Sequence, residues 1–208
     1  MLTWHILAAA MLAGPAEVSP YAPPANPPDP VAQRDEMIAL YDEICLRAFP
    51  DDSAAAAAAA RHDATPLSQS EVRRFLHDDP GFGWQLRGRT GRFDVTIEQS
   101  PPYHACAVRT MTANGFADLG PYQSLATVYE RGRGFQRITP LDREIRDLHV
   151  IGGGEQRVGP GNSSESLLVA ITSASEAFRA RGQTAIEVRF THQYYGEADA
   201  DGDGKPGS

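Results

Sequence analysis

The apolar residues of this chain change period at Asp79-Pro80-Gly81. Upstream, Met37, Ile38, Tyr41, Ile44, Cys45, Ala48 and Phe49 recur at spacings of three and four, the pattern of a helix with one buried face. Downstream they alternate. Phe93, Val95 and Ile97 are followed by His104, Cys106 and Val108, then Leu167, Val169 and Ile171, then Ile186, Val188 and Phe190, which is the period of a half-buried strand. Helices first and strands afterwards argue for an α+β fold and against a doubly wound parallel sheet, in which the two alternate throughout.

Local punctuation divides these stretches. Pro30 is tolerated in a first helical turn, so the first helix is expected to begin near Asp29 and to run to Phe49. Pro50-Asp51-Asp52-Ser53 ends it and caps a short alanine helix over residues 54–61. Ser68-Gln69-Ser70-Glu71 has the form of a capping box and opens another helix through Leu76. Trp84-Gln85-Leu86 and the two strands after it, with Pro101-Pro102 at a turn, make a three-stranded meander. Residues 121–131 read as a connecting helix with Leu125, Val128 and Tyr129 on its apolar face. A second meander follows, with Gly152-Gly153-Gly154, Gly159-Pro160-Gly161 and Arg181-Gly182 as turn signals. The expected architecture is therefore N-terminal helices followed by two antiparallel β-meanders joined by a helix.

The ends of the chain differ from its middle. Residues 1–16 carry a short apolar run, Ile6 to Ala13, followed by Gly14-Pro15-Ala16, the layout of a secretory signal peptide. The stretch before that run contains no Lys or Arg, and the other reading is a buried N-terminal helix. Residues 17–30 are a proline-dense spacer, because each proline removes an amide donor and fixes φ. A single domain over residues 31–195 and a flexible acidic tail over 196–208 complete the expected organisation. Periplasmic or secreted localisation follows, with no membrane span once the signal is removed.

The 208 residues carry a formal net charge of −8 and a pI near 5.2. That sign repels phosphate backbones and anionic lipid, which argues against nucleic-acid and membrane-surface partners. RGRTGR and ERGRGFQR are accordingly read as a hairpin turn and a loop. The partner class left is an envelope protein or a small ligand.

There are two cysteines, Cys45 on the helical stripe and Cys106 on an alternating strand. In an oxidising compartment two inward thiols of one core pair, so a Cys45–Cys106 disulfide is expected. Zinc would need about four ligands, and His104 with Cys106 is an isolated pair. A Cys106 nucleophile would want a histidine base, for which His149 or His192 would have to be recruited in space. His192 shares the parity of Ile186, Val188 and Phe190 and is expected to be half buried.

No catalytic residue is assigned, and no cofactor. No GxSxG surrounds a serine and no GxxxxGK[ST] occurs. The tail EADADGDGKPGS carries Asp199, Asp201 and Asp203 before Gly204, like the first half of a calcium loop, but the chain ends before a glutamate at loop position 12. These aspartates are weak calcium candidates.

The ICL helix, the PGFGW strand start and the CAV strand, over residues 40–110, together with the export signal, resemble small uncharacterised exported proteins of proteobacteria. That resemblance implies an envelope or secreted setting and a paired-cysteine domain. The functional expectation is an exported, non-catalytic binding or accessory protein of the cell envelope. The alternative is a secreted hydrolase or transferase whose histidines and carboxylates only the fold brings together.

Overall fold

The computed structural model describes residues 27–196. The expected signal peptide, most of the expected spacer and all but the first residue of the expected acidic tail, with Asp199, Asp201 and Asp203, lie outside the described residues. Helix α1 spans Pro30–Leu40 and is capped by the Asp29 side chain, which accepts from the Val31 amide. It runs directly into a π-helical segment, Tyr41–Ala48, closed by the Phe49 amide donating to the Ile44 carbonyl at 3.1 Å. The wider turn keeps Tyr41, Ile44, Cys45 and Leu46 all buried, where a uniform α-helix had been expected from the spacing. Helix α2, Asp52–Ala60, starts two residues earlier than the alanine run because Asp51 caps it through the Ser53 and Ala54 amides.

Strand β1 is the short Thr65–Pro66, and helix α3, Gln69–Leu76, opens on the Ser68/Glu71 capping box read from sequence. Strands β2 (Gly81–Arg87), β3 (Arg92–Ser100) and β4 (Tyr103–Thr112) form the first meander. Helix α4, Gly120–Glu130, connects to β5 (Gln136–Arg137), β6 (Leu141–Ile145), β7 (Leu148–Val158), β8 (Ser164–Ala174), the short α5 (Glu176–Arg179) and β9 (Ile186–Tyr195). Every pairing is antiparallel, in the order β1-β2-β3-β4-β9-β8-β7-β5, with β6 also on β7. The two meanders are thus one nine-stranded sheet, joined where β4 pairs with β9 over ten residues, Tyr103 to Thr112 against Tyr195 to Ile186.

Helix α1, the π segment, α2 and α4 lie on one face of the sheet, which we call inner. Met37, Tyr41, Ile44, Cys45 and Phe49 meet Phe93, Val95, Ile97, Val108, Leu167, Val188 and Phe190 there. The disulfide Cys45–Cys106 crosses this interface, with the Cα atoms 5.4 Å apart. Helix α3 packs on the outer face over β2, and here the PGFGW glycines are needed: a Cβ on Gly81 would stand 2.4 Å from Leu76 Cδ1, and one on Gly83 3.0 Å from Leu67 Cδ1.

One turn signal was misleading. Gly152-Gly153-Gly154 lies inside β7 and not between strands. At Gly154 a Cβ would come within 2.0 Å of the Leu167 carbonyl oxygen on β8, so this glycine serves a close approach of two strands. The RGRTGR turn between β2 and β3 is tied to α1, since Glu36 accepts from the amides of Arg89 and Thr90 at 2.9 and 2.8 Å. No helix among the described residues is long and apolar enough to cross a membrane.

Candidate functional site

The largest concentration of chemistry on the inner face forms around Glu165 at the start of β8. Its parity matches Leu167, so it points inward, and pairing places it beside Tyr194 of β9 and Arg157 of β7. His192 of β9 lies opposite Leu167 of β8 on one side and Cys106 of β4 on the other. Glu165 Oε1 accepts from Tyr129 Oη at 2.7 Å, His192 Nε2 at 2.8 Å and Tyr194 Oη at 3.1 Å, and Oε2 accepts from Arg157 Nε. Four donors saturate a carboxylate. His192 is 0% exposed and Glu165 2%.

The other side of the imidazole explains why a histidine stands there. In a π-helix the Cys45 carbonyl would accept from the amide five residues on, but that residue is Pro50, which has none. The carbonyl is orphaned at a buried helix end, and His192 Nδ1 donates to it at 2.6 Å. Both ring nitrogens thus face oxygen atoms. Burial pushes the Glu165 carboxyl up, but the hydrogen bonds from His192, Tyr129 and Arg157 outweigh it and hold the group down at about 2. Burial and the neighbouring Glu165 together push the Tyr129 phenol up to about 12, so it stays protonated and donates to Glu165.

Phe49 packs edge-on against His192 at 5.4 Å and against His104 at 4.5 Å between ring centroids. His104 Nε2 meets Asp52 Oδ1 at 2.9 Å, with both side chains 27% exposed. This is the only hydrogen-bond partner of that ring among the described residues. His149 pairs with Asp142 at 2.7 Å across the β6–β7 hairpin, and His62 with Glu43 at 2.7 Å. The structure therefore does bring histidines to carboxylates, in four separate places. His192 does stand opposite Cys106 in register, and His149 is on β7 away from it, but neither has a thiol to serve as base because Cys106 is in the disulfide. Among the described residues no group of three His, Cys, Asp or Glu is placed to hold a metal.

His192 was legible as an inward residue from its parity, although it is wholly and not half buried. Glu165 was missed. Its signal was present, two residues before Leu167 on an alternating strand, but a carboxylate at a strand start also reads as a solvated end. Tyr129 was read as apolar face and Arg157 was not singled out. No protein-family model matches the chain, and neither the curated proteins nor the solved structures contain a match to it.

Proposed function

We propose that this chain is an exported, non-catalytic binding or accessory protein of the bacterial cell envelope. The observation that carries this reading is the state of the His192–Glu165 pair. A general base needs an open lone pair and a path for the proton it takes, whereas both nitrogens of His192 are committed and the pair is enclosed. Its role in the fold is sufficient reason for it: Glu165 gathers β7, β8, β9 and α4, and His192 fastens the π segment to the sheet. A disulfide in the same interface supports folding in an oxidising compartment, and the signal-like residues 1–16 and the proline-dense spacer support export.

The hydrolase or transferase reading would have to use the half-buried His104–Asp52 pair, the one such pair of partial exposure that packs against the central cluster. The test is turnover of ester, peptide and glycoside substrates by the purified mature protein, with His104→Ala and His192→Gln variants beside it. No turnover is expected. Activity lost on substitution of either histidine would overturn the binding-protein reading.

A further inference from the structure

On the outer face of the sheet, away from the Glu165 cluster, Arg109 of β4 and Arg189 of β9 stand directly opposite each other in register. Like charges so placed destabilise a sheet unless something offsets them. Arg109 is 3% exposed, with the Phe75 ring of α3 lying 4.2 Å from its guanidinium carbon. Its Nη2 donates to Thr96 Oγ1 at 3.1 Å. Among the described residues, Nε and Nη1 of Arg109 and Nε of Arg189 are buried and find no acceptor.

The carboxylates of that face do not fill the gap. Asp94 lies opposite Arg109 on β3 but is bonded to Arg92 at 2.8 Å. Glu187 and Glu98 face the arginines only at longer range, and among the described residues neither Arg109 nor Arg189 forms an ion pair within 4.0 Å. We infer that Arg109 and Arg189 form an oxyanion-binding site for a small ligand bearing a carboxylate or phosphate group. Guanidinium N–H groups match such oxygens in both geometry and charge. Phe75 covers one side of Arg109, and the facing Arg189 is half-buried. Burial, with Arg189 adding to it, lowers Arg109 to about 10 despite Glu187 and Asp94, and a bound anion would relieve that cost. This assignment goes beyond the proposed function and depends on neither the compartment nor the absence of catalysis.

The test is titration of the purified protein with inorganic phosphate and, separately, citrate, against chloride at matched ionic strength, following the arginine Nε–Hε resonances. The expected result is a saturable shift of both Arg109 and Arg189 signals with at least one probe. Saturation by phosphate alone assigns a phosphate ligand, and by citrate alone a carboxylate. Arg189→Gln, at the more exposed partner, is expected to weaken saturation by about tenfold, the loss of one charge-assisted hydrogen bond. Arg109→Lys is the second variant, since Arg109→Gln risks misfolding. A linear response equal to that of chloride, or saturation unchanged in Arg189→Gln, would overturn the site. So would Glu187→Gln moving both resonances in anion-free buffer while neither probe moves them in the parent protein, because the arginines would then be partnered internally.

Discussion

Replacing both Cys45 and Cys106 by alanine tests how the helical layer is held to the sheet. The bridge joins residues 61 apart in sequence. Loop closure on that scale removes about 14 cal/mol/K from the unfolded ensemble, which is about 4 kcal/mol of stability at 25 °C. Both sulfurs belong to residues that are 0% exposed, so the substitutions also leave a small void costing about 1 kcal/mol. For a domain of this size each kcal/mol moves Tm by about 3 °C, and the variant should melt about 12–15 °C lower. The loss acts mainly through the unfolded chain, so the urea m-value should rise as the freed loop expands. The His192 bond should survive, because its acceptor is the backbone carbonyl of residue 45. Thermal and urea unfolding followed by circular dichroism would measure both quantities. A drop in Tm of less than about 4 °C with an unchanged m-value would show that the bridge does not constrain the chain as described.

Removing the charge of Glu165 by Glu165→Gln leaves Arg157 without its counter-charge and disrupts the buried hydrogen bond to His192, and should cost about 3–5 kcal/mol, while Tyr194→Phe should cost about 1 kcal/mol; equal losses in urea midpoints would refute the saturated carboxylate. Acid sensitivity follows from the same group. Its folded value, about 2, lies below the ordinary 4.5, so its contribution is complete above about 4.5 and is lost as pH falls from there towards 2. Urea titrations between pH 6 and pH 2.5 should show this loss in the parent and a shallower one in Glu165→Gln, and parallel curves would contradict it. Gly81→Ala drives a methyl to 2.3 Å from the Ile97 carbonyl and 2.4 Å from Leu76. It should destabilise by about 1–3 kcal/mol, and a neutral result would mean that α3 does not sit on β2. Burial and then Glu155 raise the Glu130 carboxyl, so Glu130→Gln should gain stability at neutral pH relative to pH 4.

The α+β class, the capping box at Ser68 and Glu71, the inward parity of Cys106 and His192, and the pairing of the two cysteines were all legible, because each rests on residues a few positions apart or on a count of two. What could not be read locally is the pairing of β4 with β9, which turns two meanders into one sheet. The Glu165 cluster depends on that pairing, since its members come from positions 129, 157, 165, 192 and 194. The Cys45 carbonyl is instructive in another way. Pro50 was read as a helix terminator, yet it also strips an amide from the carbonyl before it, and a distant histidine supplies the missing donor. The π segment was invisible because an apolar stripe at three and four spacings fits either helix. The three glycines at 152–154 read as a turn, although only strand crowding at Leu167 explains the last of them.

The most direct test of an exported, disulfide-held binding protein is the intact mass of the chain recovered from its native host, with thiol alkylation before and after reduction. A chain shortened by the first sixteen residues, with two thiols that alkylate only after reduction, is the expected result. A full-length chain whose Cys106 alkylates freely would contradict both the compartment and the staple.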